Sequence, residues 1–321
     1  TLWQDVDRTE REMIALSPGD KKEIRRLLRF CRSAQRVQIP ADIPSELMGP
    51  RDGLRMLWSS SGALKIFRAF RGMNVQDLME RFSHPLIRLL ISDFTPADSQ
   101  AGSFVMAYGN FLSGDGGIPA GGSRAMAFRM AKKARSLGAK IVTGKAVQKI
   151  LADQAKGQAD GVLLADGTEV FCDYVVPACD MSVTFGRLLP REKMGSLLRQ
   201  MYEDRRAYPV YNTFQTAMAV DSPENPLETE TIWNCPELIF TKGMSERVTV
   251  KSYAYEPGFA PAGKQLIQTL QGGSEEVYSY WIRLYQDPVA YQRQKSLLAE
   301  RTREMLEEHF PALRGRLRVL D

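Results

Sequence analysis

The sequence is poor in the residues that bind metals and exchange disulfides. Its two histidines, His84 and His309, and four cysteines, Cys31, Cys172, Cys179 and Cys235, are scattered with no C-x-x-C pair, so no metal site or redox-active thiol pair is expected. The cysteines read as free buried thiols of a reducing cytoplasm, Cys172 and Cys179 as small core residues beside an apolar strand. No run of about 18 apolar residues is present, and the opening TLWQDVDRTE has neither a basic nor an apolar leader region. Neither a membrane span nor a signal peptide is therefore expected. Charge of one sign is also scarce: 43 Lys and Arg against 38 Asp and Glu leave +5, too little and too dispersed to argue for a nucleic-acid partner. A G-x-G-x-x-G turn, an internal repeat and a low-complexity tract are all missing.

What is there is an average globular composition, 44% hydrophobic and 25% charged, in 321 residues, enough for two domains. After Ser17-Pro18-Gly19-Asp20, the residues Ile24, Leu27, Leu28 and Cys31 recur at i, i+3, i+4, i+7 and predict a helix. Its other face carries Arg25, Arg26, Arg29, Arg32 and Arg36. The apolar stripe reads as core, with a membrane-surface helix as the alternative. Further helices are expected over 62–70, 75–82 and 85–92, making the first hundred residues mainly helical.

From about residue 120 the pattern changes. Ser123 is placed as the N-cap of a helix over 124–137, and Gly138 as its left-handed C-cap. Short strands are expected over 139–143, 147–151 and 161–165. Asp166-Gly167, between Val162-Leu163-Leu164 and Glu169-Val170-Phe171, predicts a hairpin with a type I′ turn. Tyr174-Val175-Val176 reads as a strand of a parallel sheet buried on both faces. Beyond a helical connector to about Glu203, strands are expected over 211–220, 232–233, 238–241, 248–255 and 265–271. A last helix from about Gln292 would turn Leu297, Leu298, Met305 and Leu306 inward and end at Pro311.

The loop Gly114-Asp115-Gly116-Gly117-Ile118-Pro119-Ala120-Gly121-Gly122 runs straight into a helix N-terminus, a place where backbone N–H groups can meet an anion. Its spacing is not that of a dinucleotide fingerprint, and a proline interrupts it. A turn packed closely against a neighbour is the plainer reading, with a phosphate cradle beside it.

The order helix, strand, strand, Asp-Gly hairpin, strand is more specific than the loop. Gly116 to Gly122, then Ala139-Lys140-Ile141-Val142-Thr143-Gly144-Lys145-Ala146-Val147, then Gly161 to Gly167, then Asp173-Tyr174-Val175-Val176-Pro177-Ala178-Cys179-Asp180 resemble the phytoene desaturase family, which belongs to the FAD-dependent amine oxidoreductases. Phe82-Ser83-His84-Pro85, Glu256-Pro257-Gly258-Phe259-Ala260-Pro261-Ala262-Gly263-Lys264 and Phe310-Pro311-Ala312-Leu313 resemble the family's flanking segments.

The resemblance implies an α/β protein, α+β in its substrate part. Residues 1–113 would form the helical part of a substrate or cap domain, 114–182 part of a Rossmann-like FAD-binding domain, and 183–321 a substrate domain of mixed sheet and helices. It implies FAD as cofactor, with Ala146 and Val147 at its adenine edge and Pro177 and Ala178 on its adenosine side. No catalytic side chain is implied. The family's β-α-β pyrophosphate turn and its last glycine-rich segment have no counterpart in this sequence, so the expectation is a fragment that binds FAD weakly and is inactive by itself. The expected reaction is desaturation, isomerisation or saturation of C–C bonds in an apolar isoprenoid or lipid-like molecule. Residues Leu64, Ile66, Phe67, Phe70 and Met73 are candidates to line its tunnel. The expected location is cytoplasmic, with peripheral membrane contact. The alternatives are a flavin amine oxidase of the same superfamily and a binding module that has lost its cofactor. The oligomeric state is left open.

Overall fold

A computed structural model describes residues 1–37, 44–59, 61–114, 116–153, 157–221 and 227–321. The chain divides into two compact units, Thr1–Ile118 and Pro119–Asp321.

The first unit is helical: α1 Val6–Leu16, α2 Lys21–Ala34, α3 Pro50–Ser59, α4 Ser61–Ala69, α5 Val75–Met79, α6 Pro85–Phe94 and α7 Ala101–Ser113. Ile24, Leu27, Leu28 and Cys31 of α2 are all buried, so the stripe read from their spacing is core. They pack with Phe82, Ile87, Ile91, Phe104 and Val105 into one cluster. Helices α2 and α7 cross closely because residue 109 is glycine: a Cβ there would lie 2.4 Å from that of Ala34. Polar groups taken into this core are satisfied. The buried Tyr108 hydroxyl donates to the Trp3 carbonyl at 2.8 Å and shares a 2.8 Å hydrogen bond with Thr9. The Asp20 carboxylate accepts from Ser17 Oγ, Ser83 N and Oγ, and His84 N. Burial works to raise its pKa, but these donors outweigh it and hold the carboxyl below its ordinary value.

The second unit begins with α8 Gly122–Ser136, followed by β1 Val147–Asp153, β2 Gln158–Leu164 and β3 Glu169–Phe171 in an antiparallel sheet of that order. Short helices α9 Met181–Val183 and α10 Ser196–Glu203 lead to β4 Asn212–Asp221, β5 Glu230–Asn234, β6 Met244–Ser252, β7 Lys264–Gly273, α11 Glu275–Leu284, α12 Pro288–His309 and β8 Leu317–Val319. The larger sheet runs β5-β6-β7-β4-β8, and its pairs are antiparallel. Side chains alternate along these strands. Met218, Val220, Val248, Val250 and Ile267 are buried in a cluster with Met305 and Leu306 of α12. Mixed helices and antiparallel sheet thus make up the fold.

Several expectations are corrected. Residues 139–143 and 174–176 are not strands, and Tyr174 and Val176 are each 87% exposed. A strand exists through its ladder, and among the described residues none lies alongside either segment. Residues 238–241 likewise form no strand; Pro236–Leu238 is a short 3-10 turn instead. Leu297 is exposed while Leu298, Met305 and Leu306 are buried, because it sits about 100° around the helix from Leu298. Cys31 and Cys235 are buried free thiols, but Cys172 and Cys179 are exposed, since the strand they were to flank is not formed.

Candidate functional site

The glycine loop enters α8 through two successive glycines in the left-handed region, Gly121 at φ 74° and Gly122 at φ 76°. Gly121 is the N-cap, and no side chain caps the helix. Ser123 therefore lies inside the first turn and is not the cap. The reason is local: the Gly122 N–H already bonds the Pro119 carbonyl at 2.7 Å, closing the turn one residue early. At the other end Gly138 donates to the Arg135 carbonyl and Ala139 to the Ala134 carbonyl, at 3.0 and 3.1 Å. That pair of bonds is a Schellman ending with Gly138 at φ 92°, as its position after the helix suggests.

Gly122 also meets a distant part of the chain. A Cβ at this position would stand 2.9 Å from Cε1 of Phe259 and 3.2 Å from its Cζ. The ring thus occupies the room that the missing side chain leaves. Two segments picked out separately in the sequence, the glycine loop and Glu256 to Lys264, are brought into direct contact. Phe259 belongs to an aromatic group with Tyr253, at 5.4 Å between ring centroids, and Tyr255, a further 6.1 Å from Tyr253. Burial raises the Tyr253 phenol, and the nearby Glu230 adds to the shift. Its hydroxyl donates to Gln268 Oε1 at 2.7 Å, and Gln268 Nε2 to Gln215 Oε1 at 2.9 Å. Neither Phe259 nor this ladder was picked out as part of the site by spacing or composition.

On the same face of the larger sheet, Ala217, Ile232, Leu266 and Leu270 are half-buried. The register sets Ile232 opposite Thr249 and Thr249 opposite Leu270, a continuous row across β5, β6 and β7. The tunnel candidates of the first unit separate: Ile66 and Phe70 are buried in its core, whereas Leu64 and Phe67 are exposed. Met73 is half-buried. A surface hollow of about 570 Å³ is lined by Ser196, Arg199, Gln200, Glu203 and Asp204, a polar set unsuited to an apolar chain.

In the smaller sheet Asp166-Gly167 does form a hairpin, but only Gly167 has positive φ, at 84°. The turn is therefore not type I′. Gly167 N bonds the Leu164 carbonyl and Leu164 N the Thr168 carbonyl, which makes a three-residue loop with glycine in the left-handed position. Lys145, through its hydrogen bond, holds the Asp166 carboxyl well below its ordinary value.

Val147 opens β1, is half-buried and stands opposite Leu164. The Ala146 carbonyl accepts from Ala165 N at 2.8 Å. Half-buried Pro177 and exposed Ala178 lie in the irregular stretch before Asp180, whose carboxylate caps Ser182 N and accepts from Tyr202 Oη. Among the described residues no hydrogen bond links the Ala146–Val147 pair to the Pro177–Ala178 pair. Asp115 of the glycine loop lies outside the described residues.

Of the four residues expected at the adenosine end, Ala146 and Ala178 are exposed and Val147 and Pro177 half-buried. At the glycine turn the plainer reading is observed, since the space that the missing Cβ of Gly122 leaves is filled by the Phe259 ring. Residues 52–316 match the family of flavin-containing amine oxidoreductases, and the chain belongs to that family. Over 73 residues it is 34% identical to the phytoene desaturase of Fusarium fujikuroi, a stretch that covers 23% of this chain and 13% of that protein. The phytoene desaturase of Gibberella fujikuroi matches to the same extent. The crystal structure of Rab GDI from Plasmodium falciparum aligns with 83% of this chain and 55% of its own, at 11% identity and a TM-score of 0.35.

Proposed function

We propose that this chain carries the substrate-binding part of an FAD-dependent oxidoreductase that desaturates, isomerises or saturates C–C bonds of an apolar, isoprenoid-like molecule. The observation that carries the proposal is the set of half-buried apolar side chains Ile232, Leu266, Leu270 and Ala217 on one sheet face, while the other face is closed by α12. A polyene or prenyl chain is recognised by such a surface through burial of apolar area, about 25 cal/mol per Å². The Tyr253–Gln268–Gln215 ladder runs through this face, with Gln268 between Leu266 and Leu270 on β7 and opposite Ala217 on β4. Similarity to a phytoene desaturase supports the choice of substrate class.

Ala146, Val147, Pro177 and Ala178 would hold the adenosine end of FAD. The bound flavin supplies the electron acceptor for a hydride, so the side chains need only orient the substrate and exclude water.

Purified full-length protein should show flavin absorbance, and denaturation should release FAD. Added isoprenoid polyene should change the flavin spectrum under anaerobic conditions. Peroxide formation from an amine under oxygen, without a response to the polyene, would transfer the assignment to the amine oxidases. A colourless protein that takes up no added FAD would overturn the proposal.

A further inference from the structure

The basic helix α2 is not free to meet a membrane. Its apolar stripe is buried, and three of its arginines are engaged: Arg25 with Glu10 at 3.0 Å, Arg32 with Glu10 at 2.9 Å, and Arg26 with Glu23 at 3.5 Å. Helix α4 is built the opposite way. Ile66 and Phe70 anchor it, 2% and 5% exposed, and Phe70 packs edge-on against Phe30 at 5.2 Å. Outward stand Leu64, 53% exposed, and Phe67, 67% exposed, with Arg68 and Arg71 completing an i, i+3, i+4, i+7 stripe that runs into the following turn. Lys65 is exposed beside them.

Between Asp52 and Asp77 the sequence carries Arg55, Lys65, Arg68 and Arg71 and no acidic residue. Among the described residues no carboxylate pairs with Lys65, Arg68 or Arg71.

We propose that the outward face of α4 docks on an anionic lipid bilayer. Arginines interleaved with large apolar side chains suit this occupant. The apolar groups can enter the acyl boundary while the guanidinium and ammonium heads reach up to lipid phosphates. A protein partner covering the same stripe would have to desolvate the arginines and pair each one. The proposal stands apart from the flavin assignment, since it concerns only the first unit.

The test is co-sedimentation of the purified chain with vesicles of phosphatidylcholine alone or mixed with phosphatidylserine. The wild type should pellet with the mixed vesicles and be released as salt is raised. Leu64→Ser with Phe67→Ser should weaken partitioning about tenfold or more. Arg68→Glu with Arg71→Glu should abolish the preference for the anionic lipid. Both pairs change exposed residues, so their thermal unfolding by circular dichroism should match the wild type. Phe171→Ser, at another exposed apolar site, should leave binding unchanged. Failure of the wild type to pellet, undiminished binding of the Leu64 and Phe67 variant, or an equal loss with Phe171→Ser would overturn the proposal.

Discussion

Residues 119–180 and 212–319 lie in one compact unit and are built from the same kinds of element, yet they differ in what they bury. In the larger sheet Met218, Val220 and Val248, with Leu306 of α12 against them, are fully excluded from solvent. In 119–180, among the described residues, Ile150 alone is a buried apolar side chain. There Phe128 is 62% exposed, Phe171 70% and Val176 87%. Helix α8 is nonetheless properly ended and the hairpin properly closed. Local signals can therefore form a helix and a ladder, whereas a core needs a second layer to cover them. The contrast marks α8 and the segments 139–143 and 174–176 as a surface shaped for such a layer.

The sharpest way to break this comparison is to delete a side chain from each region. Leu306→Ala should cost about 2–5 kcal/mol, the usual loss for a large aliphatic group removed from a packed core. Phe128→Ala should stay within about 0.5 kcal/mol, as for surface substitutions, its ring being exposed with the Arg124 guanidinium over it. Urea unfolding followed by circular dichroism measures both. Similar losses would mean that α8 is covered after all.

A smaller effect tests a place where the thin region is tied to the rest of the unit. Gly122→Ala should cost about 1–3 kcal/mol, because the new Cβ would both meet the Phe259 ring and sit at positive φ. In a Phe259→Ala background only the backbone strain remains, so the two changes should couple by at least about 0.5 kcal/mol. Additive losses would show that the ring does not fill the glycine's place.

The same contrast explains what could be read from the sequence. The α2 stripe, the Gly138 ending and the Asp166-Gly167 hairpin are set by neighbours a few residues away, and spacing alone exposes them. The type I′ turn failed because Asp166 keeps negative φ and the loop takes a third residue. The strands at 139–143 and 174–176 failed because β character is half of a pairing, and no partner is beside them. Helix α11 was missed although Ser274, whose Oγ accepts from Glu276 N, is a readable N-cap. At the site, Ala146, Val147, Pro177 and Ala178 came from family resemblance, since nothing in their burial or hydrogen bonding singles them out. Phe259 was visible as part of a motif, but its contact with Gly122 spans too much chain for any periodicity to report.

The cysteines offer the gentlest probe of the difference, because two belong to packed cores and two to the thin region or its border. Burial pushes the Cys31 thiol up to about 12 and, with Glu237 adding to it, the Cys235 thiol up to about 11. Neither has an appreciable thiolate fraction near neutrality, and both are shielded from reagents. Cys172 and Cys179 are exposed. With an aromatic disulfide reagent at pH 8, two thiols of the native chain should react quickly, and the remaining two only at the rate of unfolding or in denaturant. Cys172→Ser with Cys179→Ser should remove the fast phase entirely. Protection of the fast pair in a longer form of the protein, with Cys31 and Cys235 unchanged, would show that a covering layer has closed over 119–180. Fast reaction of Cys31 or Cys235 in the native chain would instead erase the contrast between the regions.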